Sequence, residues 1–225
     1  MSMATLLLRL QGPMQSWGTT SRFDERDTQL EPSKSGVLGL VCAALGRDRA
    51  EPVDDLARLR MGVRVEREGV PMRDYQTATG VAIASSGKAD LGRTVVSPRF
   101  FIADAVFLVG LEGERGSLEQ IHAALARPVW PLALGRKSFV PSMPVHLPGA
   151  VLGLSLEAAL AEWPCLLSGT LPQSPRRVLL EHVNEGSVRL DQPVAPFAAR
   201  RFGPRYVKSE LFFTGVTHVP DPSAA

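Results

Sequence analysis

The chain has 225 residues, 44% of them apolar, and a nearly balanced charge: 25 Lys and Arg against 23 Asp and Glu, a net of +2. That length buries a sizeable core as one large domain or two small ones, and no apolar run is long enough to span a membrane. Two cysteines make neither a disulfide framework nor a zinc site, and MSMATLLLRL lacks a basic leader and a small-residue cleavage site, so a cytoplasmic protein is expected.

Thr5 to Leu10 reads as a short apolar strand stopped by Gly12-Pro13. A polar loop follows, carrying Arg22 and Arg26 with Trp17 and Phe23 among them. Ser33 is a natural N-cap for a helix whose apolar positions are Val37, Leu38, Leu40, Val41, Ala44 and Leu45, and Gly46 supplies its left-handed end. Cys42 falls on the inner stripe, as a buried free thiol. Asp48 to Leu59 reads as a short surface helix or turn. Met61 to Arg67 alternates as a half-exposed strand, with Arg64 and Glu66 on the outer side.

From Glu68 to Pro98 the periodicity disappears into glycines and small polar residues; Arg99 to Leu111 then resumes as an apolar strand. The insertion therefore joins two strands that would otherwise form a hairpin, and projects as a long β-ribbon. Ser117 caps a helix over Leu118 to Ala126, and Trp130 to Leu134 reads as a fourth strand. Strand, helix, strand, strand, helix, strand is the ferredoxin-like (RRM-like) βαββαβ plan of an α+β protein. The prolines between Phe139 and Gly149 mark a boundary, dividing the chain into a domain over 1–145, with its thumb-like insertion at 68–98, and a small, mainly β unit over 146–225. In that second unit Val151 to Trp163 is partly helical. Arg176 to Val183 and Ser187 to Leu190 form a hairpin about Asn184-Glu185-Gly186, Ala198 to Ser209 is a basic strand, and Pro220 to Ala225 is disordered.

The charge is segregated. Met1 to Phe23, Pro128 to Gly149 and Phe197 to Ser209 contain no acid, and the last holds Arg200, Arg201, Arg205 and Lys208. Base-only stretches with glycines and aromatics suit an RNA-binding face; a solvated basic surface without a ligand is the plain alternative. QGPMQSWG followed by EPSKSGVLGLVCAALG resembles the N-terminal signature of the CasD family of type I-E CRISPR Cascade subunits, members of the RAMP superfamily. The resemblance implies a non-catalytic RNA-binding subunit that holds and caps the 5′ handle of the CRISPR RNA. Its partners would be that RNA and the backbone and large Cascade subunits, with no membrane, cofactor, metal or small-molecule substrate.

Several residues are candidates for RNA contact. Gly135-Arg136-Lys137-Ser138 resembles the glycine-rich loop of RAMP proteins: glycine admits a nucleic-acid backbone, arginine grips phosphate as a fork and lysine adds a point charge. Lys34 and Ser35 open a helix N-terminus that can hold one phosphate, unless Ser33 merely caps it. In the insertion, Arg73, Tyr75, Gln76 and Arg93 are RNA-competent, and the segment is expected to be mobile until RNA orders it. Arg22 in the first loop and Arg201 or Arg205 in the basic strand complete the set. Trp17 is read as a core plug rather than a base platform. The four histidines are scattered, and no catalytic signature is visible. Tyr75, Lys137 and His146 are the groups from which a metal-independent endoribonuclease, the runner-up, could be assembled. A third possibility is a pure protein scaffold.

Overall fold

The computed structural model describes residues 2–19, 25–82, 87–167 and 175–212. Its frame is one seven-stranded antiparallel sheet. The strands in chain order are β1 (Met3–Gln11), β3 (Arg60–Arg67), β6 (Val106–Glu114), β7 (His146–Leu152), β8 (Arg176–His182), β9 (Ser187–Pro193) and β10 (Phe202–Phe212), and their spatial order is β7-β1-β6-β3-β8-β10-β9. A second sheet is formed by β2 (Met14–Gln15), β4 (Val70–Ala82) and β5 (Ala89–Ala103), in the order β2-β5-β4. The protein is thus α+β, with few helices and mostly antiparallel sheets.

The helices α1 (Lys34–Leu45) and α3 (Arg115–Ala126) cover one face of the large sheet, where Leu6, Leu8 and Leu10 of β1 meet Val37, Leu38 and Val41 of α1 and Leu118, Ile121 and Leu125 of α3. Helix α4 (Leu156–Glu162) covers the other, packing Leu156, Ala159 and Leu160 onto Leu7, Leu108, Val178 and Leu180. Because β1 is buried on both faces, Leu6 to Leu8 read as a continuous apolar stretch instead of an alternating one, broken at Arg9. Gly62 and Gly110 let α4 close on the sheet: a Cβ at either would stand 2.7 Å from Leu160 or 2.6 Å from Leu156.

The caps of α1 are those the sequence predicts. The Ser33 hydroxyl accepts from the Gly36 N–H, and Gly46 takes φ +70°. Cys42 is buried, and the short helix α2 (Asp54–Ala57) packs Leu56 inward, beside Val53 and Leu59. The α3 cap differs from expectation. The helix starts at Arg115, and the Glu114 carboxylate, not the Ser117 side chain, accepts from the Gly116 and Ser117 N–H groups.

Other expectations need correction. Arg64 and Glu66 are not half-exposed but buried, because α4 covers that face of β3. The apolar run from Arg99 to Leu111 is two strands, broken at Asp104 (φ +57°), where the chain passes from the ribbon sheet to the large sheet. Trp130 to Leu134 forms no strand. Pro131 removes a ladder donor there, and the Val129 and Trp130 N–H groups instead donate to Ala44 O and Ala43 O at the C-terminus of α1. The strand beside β1 is β7, so the large sheet runs across the expected boundary at 145/146, and β8 continues it beyond β3. β8 and β9 are not a hairpin, since β10 lies between them and pairs with both. Gly186 (φ +104°) makes this possible, lying so close to the crossing strand that a Cβ would stand 2.2 Å from Val207 O. The expected disordered stretch 220–225 lies outside the described residues.

Candidate nucleic-acid interface

The loop at Gly135 is pinched between two buried anchors, Leu134 and Phe139, whose backbones bond across it (Leu134 N–H to Phe139 O, 2.8 Å). Ser16 N–H donates to Leu134 O, drawing the loop onto the turn after β1. Gly135 takes φ +91°, and a Cβ there would stand 1.7 Å from Ser16 O, so no other residue fits without moving the backbone. Lys137 and Ser138 at the tip are exposed. Arg136 reaches back: its Nη2 donates to Phe100 O (2.8 Å) and Arg26 O (3.3 Å), and its guanidinium lies 5.4 Å from the centre of the Phe139 ring. Burial, then repulsion from Arg99 and Arg26, holds the Arg136 guanidinium below the usual arginine range, against the opposing pull of Asp74 and Asp27. The arginines meet because Arg26 threads beside β5, its N–H on Pro98 O and its carbonyl accepting from the Phe100 N–H.

An open cleft of about 350 Å³ lies between this loop and the start of α1. Trp17 backs it. The indole is 1% exposed, donates to Gln15 Oε1 (3.2 Å) and packs so tightly on Gly36 that a Cβ there would stand 2.8 Å from the ring. Arg26, Arg49 and Arg136 line the cleft with Asp27, Ser35, Phe197 and Phe202. Arg49 and Phe197 were not legible as site residues. They meet across 148 positions, where the Arg49 side chain donates to Phe197 O and the Ala198 N–H donates to Arg49 O, with no local pattern to announce it.

Two expected phosphate ligands are turned inward, and this corrects the reading of Lys34 and Arg205. Lys34 is 1% exposed, its Nζ 2.9 Å and 3.0 Å from the two Glu181 carboxylate oxygens. Burial draws its ammonium below the usual lysine range, although Glu181 opposes this. Arg205 is buried and grips Asp191 with Nε (2.6 Å) and Nη2 (2.9 Å). Asp191 in turn accepts from the Lys34 N–H (2.8 Å), so the chain's own carboxylate occupies the anion position at the N-terminus of α1. Ser35 remains at the cleft. Arg201 is exposed beside Phe202, and Arg22 lies outside the described residues.

The insertion is a two-stranded ribbon whose β4 and β5 pair from Val70↔Ala103 to Ala82↔Ala89. Side-chain alternation splits the expected set: Arg73 and Tyr75 share one face, and Gln76 lies on the other, bonded to Asp74. Tyr75 is exposed, with the Arg73 guanidinium 5.9 Å from its ring centre. Arg93 is exposed near the tip, where the register shifts. His146 does not stand alone. Its ring lies 4.2 Å from that of His122, which bonds Leu147 O, a pairing that their spacing in the sequence does not suggest. Among the described residues no cluster of three or more His, Cys, Asp or Glu could hold a metal ion, and no helix is long and apolar enough to cross a membrane.

These features define an α+β protein whose antiparallel sheets carry a basic cleft at the root of a long ribbon. The chain belongs to the family described as CRISPR-associated protein (Cas_Cas5), which matches residues 5–208. It is 31% identical over 156 residues to the CRISPR system Cascade subunit CasD of Escherichia coli (strain K12), covering 63% of this chain and 69% of that one. Among solved structures, one described as the crystal structure of a Cas protein is 50% identical with a TM-score of 0.78, over 93% of this chain and 95% of that one. Another, described as a CRISPR RNA-guided surveillance complex, is 33% identical with a TM-score of 0.74, over 92% of this chain and 90% of that one.

Proposed function

We propose that this chain is a non-catalytic RNA-binding subunit of a cytoplasmic, Cascade-type CRISPR RNA-guided surveillance complex, and that it holds and caps the 5′ handle of the CRISPR RNA in antiviral defence. Its partners are that RNA and the other Cascade protein subunits. Membership of the Cas_Cas5 family and the likeness to CasD and to a surveillance-complex structure support the subunit role. The observation that carries the RNA reading is the seating of Gly135 on Ser16, which leaves Lys137 exposed and brings Arg136 to Arg26 at the root of the ribbon. Three arginines in one cleft favour a phosphate backbone, and phosphate contacts position RNA without reading its sequence.

In this reading β7-β1-β6-β3 with α1 and α3 is a ferredoxin-like unit of the RAMP type, and the chain beyond it is a smaller, mainly β unit that extends the same sheet. Arg73 and Tyr75 on one face of the ribbon, Gln76 on the other and Arg93 near its tip contact the handle or a neighbouring subunit. Arg201 follows the phosphates beside Phe202. The enzyme reading is less favoured because the likeness to the Cascade subunit CasD supports a structural role. Photocrosslinking of handle RNA in the assembled complex tests the proposal. Crosslinks at 135–138 and on the ribbon are expected, and crosslinks confined to other subunits would leave only the scaffold reading.

A further inference from the structure

We propose that Cys165 is a peroxide-reactive thiol, a reversible oxidation site set in the buried ion network beside α4. Arg64, wholly buried on β3, donates to the Leu160, Trp163 (2.7 Å) and Pro164 (3.0 Å) carbonyls at the end of α4, and pairs with Glu66. Glu66 also pairs with Arg176 at 2.7 Å. These contacts lock α4 to the sheet without the sulfur. Cys165 nevertheless lies among them, only partly buried. Its Sγ accepts from Arg176 Nη2 (3.1 Å) and from the Leu167 N–H (3.3 Å), and its own proton lies toward Glu66 Oε2 (3.5 Å).

The independent sign of a missing ligand is Arg176 Nε. The Arg176 side chain is 9% exposed, and its buried Nε finds no hydrogen-bond partner among the described residues. Nε and Nη2 form one edge of the guanidinium, and Nη2 on that edge faces the sulfur. An oxygen added to Sγ would meet the idle donor. Arg176 Nη2–H and the Leu167 N–H already aim at Sγ, and both, with the idle Nε–H, would donate to an S–O⁻ oxygen as it forms.

The reaction balances with a hydroperoxide as oxidant. The thiol loses its proton, and the thiolate electron pair attacks one peroxide oxygen. The S–O bond forms as the O–O bond breaks, and the departing hydroxide takes up a proton to leave as water. Sulfur is oxidised by two electrons to the sulfenic acid and hydrogen peroxide is reduced; two equivalents of a small thiol reverse the step, the first forming a mixed disulfide with loss of water and the second releasing the Cys165 thiol and leaving as the small disulfide.

The test treats the full chain with dilute hydrogen peroxide and dimedone and follows the adduct by peptide mass. The expected result is an adduct on Cys165 that forms at least about tenfold faster than on N-acetylcysteine at the same pH, with Cys42 unlabelled. Arg176→Lys keeps the charge but removes the Nε–Nη2 edge, and should bring the rate down toward that of N-acetylcysteine; an unchanged rate would overturn the role of that edge. Should this variant not fold, the wild-type comparison decides alone. A Cys165 no faster than N-acetylcysteine, or labelled only together with Cys42, overturns the proposal.

Discussion

Gly135 and Ser16 are in backbone contact: a side chain on Gly135 would begin 1.7 Å from the Ser16 carbonyl oxygen, at a backbone φ of +91°. Relief requires the loop to lift from the turn after β1. Gly135→Ala should therefore cost about 2 kcal/mol or more, from positive φ and displacement together. Urea denaturation measures the cost. The same variant should weaken handle binding, because the lifted loop carries Arg136 away from Arg26. A stable variant with full RNA affinity would separate the loop from the site.

Among the described residues Lys137 is exposed and makes no hydrogen bond or ion pair, whereas Arg136 braces the Phe100 carbonyl. Lys137→Ala should leave the urea midpoint unchanged, weaken binding equally across handle sequences, and flatten the plot of log affinity against log salt by about one. Arg136→Ala should lower both stability and affinity. The salt series on the two variants distinguishes a phosphate contact from a packing role.

Arg205→Ala is expected to behave in the opposite way. It leaves Asp191 buried without its guanidinium partner, and breaking such a pair costs about 3–5 kcal/mol. The salt slope of RNA binding should not move, since Arg205 does not face solvent. Arg201→Ala, at an exposed position, should show the reverse: unchanged stability and a shallower slope. A shallower slope for Arg205→Ala would return that residue to the interface.

Glu31 sets an acid limit. Burial pushes its carboxyl up, but Arg177 and Arg189, both bonded to it, outweigh burial and hold it below the ordinary value of 4.5. The folded value lies below the unfolded one, so this ion pair adds stability that is fully present above about pH 4.5 and is lost as pH falls through the folded value. Glu31→Gln should lower stability at neutral pH and flatten its decline between pH 5 and pH 3, read from urea midpoints across that range.

The ribbon should exchange its amide protons in a gradient. Near its root, β5 is flanked by β2 at Ala103 and Ile102 and by Arg26 at Phe100, whereas toward the tip β4 is its partner on one side alone. Amides at 100–103 should exchange about tenfold or more slower than those at 89–96 in the free chain, with the tip slowing on assembly. Uniformly fast exchange along the insertion would mean that RNA orders the whole arm.

The sequence by itself determined what local chemistry decides. The Ser33 and Gly46 caps bound α1, the apolar run from Thr5 to Leu10 marks the strand β1, and the loss of periodicity after Arg67 announces the inserted ribbon. Glycine at 135 beside two cations was legible for the same reason, since the signal lies in consecutive residues. Tertiary structure decided which strand completes the sheet beside β1 and that β10 passes between β8 and β9, because register depends on partners far along the chain. It also decided the fate of the cations. Lys34 and Arg205 look alike to any reading of charge, yet Lys34 meets Glu181 across 147 positions and Arg205 meets Asp191 across 14. Removing a charge from water is tolerable only beside an opposite charge. Whether a basic residue serves the core or the cleft therefore depends on where the fold sets the carboxylates, which no stretch of sequence around the base records.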